Sequence, residues 1–270
     1  MGVPLLLVDA FTDRAFAGNP AAVCLLSKWP KDRWLQSLAT EMKQSETAYL
    51  VRNADGFDLR WFTPAVEVDL CGHATLASAH ALWEEGLVKL ETAINFSTRS
   101  GILKAARHDG QIELDFPLKP EEPVEPPAEL LPALGVEAKY VGKNRFDYLV
   151  EVESEAVLRQ VTPDFRRLGS VPVRGTIVTS RSSDPRFDFV SRFFAPASGV
   201  DEDPVTGSAH CCLADFWRKR LGKSEFLAYQ ASPRGGVIRV RIVGDRVLLG
   251  GKAVTVAKGE LTNSAIGDSV

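Results

Sequence analysis

The sequence has few of the features that would assign a protein class directly. Its 270 residues contain no apolar run near the roughly 20 needed to cross a bilayer, so no membrane helix is expected. The start, MGVPLLLVDAF, has no basic residue and its apolar stretch stops at Asp9, unlike a secretory leader. Leu6 stands where a myristoylation signal needs Ser or Thr. Four cysteines, two of them adjacent at Cys211 and Cys212, are too few for a disulfide framework in a chain this long. With 32 Lys and Arg against 35 Asp and Glu, the net charge is −3, which offers no basic field for nucleic acid. No Gly-x-x-x-x-Gly-Lys-Ser/Thr loop is present to cradle a polyphosphate. These absences lead to the expectation of a cytoplasmic globular protein with no nucleic-acid or membrane partner.

What the chain does have is a division into two similar halves. The segment PLKPEEPVEPPAELLP at 117–132 holds six of the sixteen prolines and four glutamates. Proline removes a backbone donor and fixes φ, so the segment is expected to be an extended linker. On either side of it a pattern recurs. Arg60-Trp-Phe-Thr-Pro-Ala-Val-Glu-Val-Asp69 aligns without gaps on Arg192-Phe-Phe-Ala-Pro-Ala-Ser-Gly-Val-Asp201, with Arg, Phe, Pro, Ala, Val and Asp shared at an offset of 132. A Gly-led run of small residues follows each copy, at Gly72-His73-Ala74 and, after three extra residues, at Gly207-Ser208-Ala209-His210. An offset of half the chain predicts two related lobes, since solenoid repeats are about 20–50 residues long. Residues 1–118 are assigned to the first lobe and 119–270, opening with the proline-rich linker, to the second.

Short β-rich runs fill both halves, among them LLLVDAF, AAVCLL, TAYLV and FDLRWFT in the first and DYLVEV, GTIVTS, FDFVSRFF and GVIRVRIV in the second. Helical spacing predicts a helix at 33–43 capped by Asp32, one at about 73–85 ending at Gly86, and one at about 208–221 ending at Gly222. The last two are rich in Ala, Ser and Cys and poor in charge, as suits a helix enclosed by strands. The expectation is an α+β fold in which each lobe curls a mostly antiparallel sheet around one central helix.

Both central helices start at a Gly-containing turn, where unpaired N–H groups and the helix dipole favour an anion. A substrate carboxylate held in a cleft between the lobes is the expected ligand. The candidates there are Cys71, Gly72 and His73 in the first lobe and Asp203, Thr206, Gly207 and Ser208 in the second. An imidazole at a helix start can serve as a general acid or base, or be a packed core residue. A zinc site from Cys71, His73, His210, Cys211 and Cys212 is not favoured. Consecutive residues 210–212 would point about 100° apart on a helix and could not converge on one ion, so no metal is expected.

Four blocks, VDAFTDRAFAGNPAAVCLL (8–26), QSETAYL (44–50), RWFTPAVEVDLCGHATLASA (60–79) and VDEDPVTGSAH (200–210), resemble in sequence and order the signature blocks of the phenazine-biosynthesis isomerase family, nearest its phenazine biosynthesis-like domain proteins. The resemblance spans nearly the whole chain and implies the diaminopimelate epimerase-like fold, a homodimer and a reaction without a cofactor. It also implies site roles. Glu46 would be the general acid/base that carries a proton between two carbons. His73 and Asp203 would assist it, Gly72, Gly207 and Ser208 would help hold the substrate, and Asn19 of the GNP block would lie beside the site. Spacing alone does not single out Glu46.

Two rivals remain at this stage. The related epimerases and racemases use one cysteine at the start of each central helix. Cys71 fits the first place, but the turn at 204–208 has no cysteine, and Cys211 and Cys212 lie too deep in their helix. The other rival is a binding or regulatory protein that keeps the fold without turnover.

Overall fold

The computed structural model describes residues 2–262. In chain order the elements of the first half are β1 (Val3–Ala10), β2 (Asn19–Leu26), α1 (Asp32–Met42), β3 (Glu46–Arg52), β4 (Phe57–Phe62), β5 (Glu67–Val68), α2 (Gly72–Glu84), β6 (Ile94–Thr98), β7 (Gly101–His108) and β8 (Gln111–Pro117). The second half has β9 (Glu122–Pro123), α3 (Leu130–Leu134), β10 (Tyr140–Lys143), β11 (Asp147–Glu151), α4 (Glu155–Gln160), α5 (Phe165–Leu168), β12 (Gly175–Arg181), β13 (Phe189–Phe194), a 3₁₀ turn at Pro196–Ser198, α6 (Gly207–Leu221), β14 (Glu225–Gln230), β15 (Gly236–Val243), β16 (Arg246–Gly251) and β17 (Ala253–Leu261). The fold is the α+β class expected.

The described residues form two compact units, one of 2–115 together with 250–262, the other Phe116–Leu249. The sequence reading kept everything after 118 in the second lobe. In the structure β17 instead pairs antiparallel with β1, from Val3 opposite Leu261 to Ala10 opposite Ala253, so the chain end completes the first unit's sheet. The proline-rich segment also differs from a simple linker. Glu122–Pro123 pairs with β10, Leu130 is buried, and the buried Glu121 accepts a hydrogen bond from the Tyr140 hydroxyl.

Strand pairing carries the internal repeat further than the sequence does. In the first unit β1–β2 is antiparallel, β2–β3 parallel, β3–β4 antiparallel, β4–β6 parallel and β6–β7 antiparallel. In the second unit β10–β11, β11–β12, β12–β13, β13–β14 and β14–β15 follow the same alternation. A parallel pair cannot be joined by a hairpin and needs a crossover, usually a helix. The helices fall at those places: α1 between β2 and β3, α2 between β4 and β6, α4 and α5 between β11 and β12, and α6 between β13 and β14.

The two crossover helices that follow the repeated motif are the central ones. Every residue of α2 from His73 to Ala79 is buried, and the helix packs on β1, β2, β3, β7 and β17. Ala74, Ala77, Ala79 and Ala81 let strands approach from several sides, which an amphipathic stripe could not do. In α6, Ala209 to Trp217 are all buried. An Arg–Glu pair precedes each helix: Arg60 donates from Nε and Nη2 to Glu67, and Arg192 from Nε and Nη2 to Glu202. Both carboxylates stand five residues before the helix start, so the three extra residues of the second copy lie between Arg192 and Glu202.

The first helix starts at Asp32, but no side chain caps it. Asp32 accepts from Arg60 Nη1 at 2.8 Å instead, which takes its carboxylate away from the helix end. The short helices α3, α4 and α5 were not expected from the sequence.

Candidate active site

In the first unit the parallel pairing of β2 and β3 sets Ala21 opposite Glu46, so Asn19 and Glu46 emerge at the same end of the sheet. Two backbone features shape that end. Gly18 takes φ +65° to enter β2, and a Cβ there would lie 2.1 Å from the Ala10 carbonyl oxygen. Lys43 closes α1 in the left-handed region at φ 51°, turning the chain into Ser45 and Glu46. The start of α2 supplies Cys71, Gly72 and His73.

These elements bring the side chains into one line. Ser45 Oγ donates to Asn19 Oδ1 at 3.0 Å, and Asn19 Nδ2 lies 3.1 Å from His73 Nδ1. Because the amide oxygen accepts from Ser45, its nitrogen donates to Nδ1, which leaves the imidazole proton on Nε2. That nitrogen is 3.2 Å from Glu46 Oε2, in contact but not aligned as a hydrogen bond. Burial lowers the His73 pKa to about 3, so the ring is neutral near pH 7. The Glu46 side chain keeps 18% of its exposure against 6% for His73, so Glu46 is the more open of the pair, although its Oε2 is buried.

Cys71 Sγ lies 3.5 Å from His73 Nδ1. Glu46, Cys71 and His73 thus gather carboxylate, thiol and imidazole donor atoms within 4.8 Å of one another, a set suited to a divalent ion such as zinc. In the arrangement seen, the ring lies between the other two groups: one nitrogen faces Cys71 and Asn19, the other faces Glu46. Such an order suits proton and hydrogen-bond transfer along a line more directly than shared chelation.

In the second unit the turn before α6 is tied down by Gln230, which is fully buried. Its Nε2 donates to the Asp203 carbonyl at 2.7 Å and its Oε1 accepts from the Thr206 N–H at 2.8 Å. The Asp203 carboxylate accepts from Thr206 Oγ1. Ser208 Oγ accepts from Arg174 Nη2 at 3.0 Å, and Arg174 is paired with the buried Asp147. Neither central helix has a side-chain cap at its N-terminus. Cys211 and Cys212 are buried, and burial pushes the Cys211 thiol up to about 12 and the Cys212 thiol higher still, which leaves the second helix without a thiolate base.

The structure therefore gathers Asn19, Glu46, Gly72 and His73 around one helix start, and Asp203, Gly207 and Ser208 around the other. Ser45, Gln230, Arg174 and Asp147 are further members of these two helix starts that the sequence alone does not single out. Ser45 lay in the QSETAYL block beside the residue that was chosen. Arg174 and Asp147 carried no motif of their own. A separate surface pocket of about 470 Å³ is bounded by Trp29, Asp32, Asp58, Arg60 and Arg99 in the first unit. Its two guanidinium groups are already engaged by Glu67 and Asp32, and it holds none of the residues above.

A sheet packed about a central helix in each half, with a carboxylate from β3 beside an imidazole at a helix start, is an epimerase-like fold. Comparison with known proteins gives the family. Residues 8–259 match the model of the phenazine biosynthesis-like protein family, PhzC-PhzF. A protein of Halalkalibacterium halodurans named as an uncharacterized isomerase is 55% identical over 262 residues, covering 97% of this chain and 99% of its own. The crystal structure of a PhzF-family phenazine biosynthesis protein from Enterococcus faecalis superposes with a TM-score of 0.93 at 40% identity, over 97% of this chain and 100% of that one. A hydroxyproline epimerase from Agrobacterium vitis shares the fold at a TM-score of 0.61 and 15% identity, over 96% and 92%. The chain belongs to the phenazine biosynthesis-like family of isomerases. Among the described residues no helix is long and apolar enough to cross a membrane.

Proposed function

We propose that this isomerase moves a proton between two carbons of a small carboxylate-bearing metabolite, with Glu46 as its general acid/base and without a cofactor. The observation that carries the reading is the line Ser45–Asn19–His73–Glu46. A carboxylate that must take up and return a proton needs a neighbour that does not itself titrate, and burial keeps His73 neutral. Asn19 occupies Nδ1, so the imidazole proton is on Nε2, 3.2 Å from the carboxylate, and on realignment would donate to it once it is ionised. In this reading His73 orients Glu46, Asp203 assists, and Gly72, Gly207 and Ser208 hold the substrate. The uncapped helix starts favour its carboxylate and the negative charge that develops on the reacting carbon.

The test is NMR in D2O with a panel of small carboxylic acids that carry an activated C–H. The wild-type protein is expected to incorporate solvent deuterium into a member of the panel. Glu46→Gln, which keeps the shape but cannot accept the proton, is expected to slow that incorporation by about 100-fold or more. Full exchange in E46Q would remove Glu46 from the role. Shifts on binding without exchange in the wild-type protein would favour a binding protein on the same fold.

A further inference from the structure

The strand register extends the internal repeat into the site. Thr47 pairs with Phe62 and Thr176 with Phe194. Phe62 and Phe194 match at the offset of 132, so Thr47 matches Thr176. Counting back, Glu46 matches Gly175 and Ser45 matches Arg174; counting forward, Arg52 matches Arg181. His73 and Ser208 are each the second residue of a central helix. Two places, one just before a strand and one at the helix start, therefore hold Ser45 and His73 in the first unit and Arg174 and Ser208 in the second, while Asp147, which pairs with Gly175, stands where Ala21 pairs with Glu46, two residues beyond Asn19.

Their chemistry differs. The first set is uncharged and ends on Glu46. The second has no counterpart to Glu46, because a Cβ on Gly175 would lie 2.4 Å from the Phe193 ring. It carries a cation instead. Arg174 Nε and Nη2 donate to Asp147, Nη2 also donates to Ser208 Oγ, and among the described residues Nη1 has no partner. The guanidinium lies over Phe146 and Phe193, 5.4 and 5.6 Å from the ring centres, and its side chain is 38% exposed. Lys119 Nζ and the Arg145 guanidinium also lie over Phe146, at 4.5 and 5.3 Å, and among the described residues neither forms an ion pair. Three cations thus surround one ring, with Asp147 the only carboxylate paired to any of them. An excess of positive charge around a planar donor with a free edge is a carboxylate-recognition arrangement.

Resting on the carboxylate-substrate reading above, we propose that Arg174 is the substrate's carboxylate anchor, and that it also sets the hydroxyl of Ser208. Nη2 occupies a lone pair of Ser208 Oγ, so the Ser208 hydrogen points elsewhere and is available to a ligand oxygen. Nη1 supplies the second donor. Asp147, buried at 1% exposure, holds the guanidinium in plane and is a positioning residue.

The test uses sodium benzoate and its uncharged analogue benzamide as probes, titrated into the full-length protein and followed by 15N-resolved NMR. Wild-type protein is expected to bind benzoate saturably with shifts at the Gly207 and Ser208 amides, and to prefer it over benzamide. Arg174→Gln is expected to weaken benzoate binding about 10-fold and abolish that preference. A purely structural role would weaken both probes alike. Because R174Q leaves Asp147 buried without its partner, the double variant D147N/R174Q checks folding, and the same loss is expected in it. The acid/base reading fails separately, if Glu46→Gln keeps full deuterium exchange, an outcome that leaves the benzoate readout of R174Q as it is. No saturable benzoate binding to wild-type protein, or equal preference in R174Q and wild type, would overturn the proposal.

Discussion

Two histidines are buried as neutral rings, and each makes stability depend on pH. Burial lowers His73 to about 3 and His210 to about 4, against an ordinary value of about 6.5 in the unfolded chain. Between those limits the unfolded state binds protons that the folded state refuses, so stability rises with pH and is lost as pH falls below 6.5. Each ring contributes a slope of about 1.4 kcal/mol per pH unit in that window, or about 2 kcal/mol by pH 5. His210 offers the cleaner test because it lies outside the proposed chemistry. Its Nδ1 donates to the Thr206 carbonyl at 2.8 Å, a bond that the Asn amide of His210→Asn can replace without titrating. Urea denaturation from pH 7 to 4.5 is expected to show a slope shallower by about one proton in H210N. An unchanged slope would mean that His210 does not stay neutral in the folded state.

At the scale of elements, the turn from β1 into β2 controls where Asn19 stands. Gly18→Ala adds a methyl group 2.1 Å from the Ala10 carbonyl oxygen, at a φ of +65°. A backbone atom of a paired strand cannot yield as a flexible side chain can, so the Ala10–Asn19 pairing must shift. Gly86 is a matched control, with φ +66° and nothing within 4 Å of the added Cβ. G86A is expected to cost only the left-handed penalty of about 1 kcal/mol, while G18A costs at least twice that and also slows Glu46-dependent deuterium exchange. Equal thermal shifts in the two variants would show that the turn does not hold Asn19 in place. The longer strands and the three long helices are legible in the sequence, but the two-residue strands β5 and β9 are not, β9 lying inside the segment read as a linker. Helices α3, α4 and α5 are four to six residues long, too short for a helical period to show. Asp32 read as a cap because its distant partner Arg60 could not be known from local sequence. The His73 position followed from the helix start, and Glu46 only from family resemblance. Arg174 carries no local motif, and only strand pairing aligns it with Ser45.

At the scale of the whole molecule, the first unit is discontinuous and the second is not, and this difference can be measured. β1 has two neighbours, β2 within the N-terminal segment and β17 from the chain end. A chain stopped at Lys252 would lose β17 and leave one side of β1 without hydrogen-bond partners, beside the buried side chains of Val3, Leu6 and Val8. It would also lose the His80–Thr255 contact and the pairing of Lys258 with Glu84 and Glu85 at the end of α2. The second unit keeps β11 and β12 with their partners β10 and β13, all within 116–249. In native-state hydrogen exchange, the truncated chain is therefore expected to lose protection at β1 and β2 while the amides of β11 and β12 retain most of theirs. Solvent-deuterium incorporation into substrate should fall with the first set, since Asn19 begins β2. If protection instead falls equally in both units, the molecule unfolds as one cooperative block, and the repeat is a feature of its architecture alone.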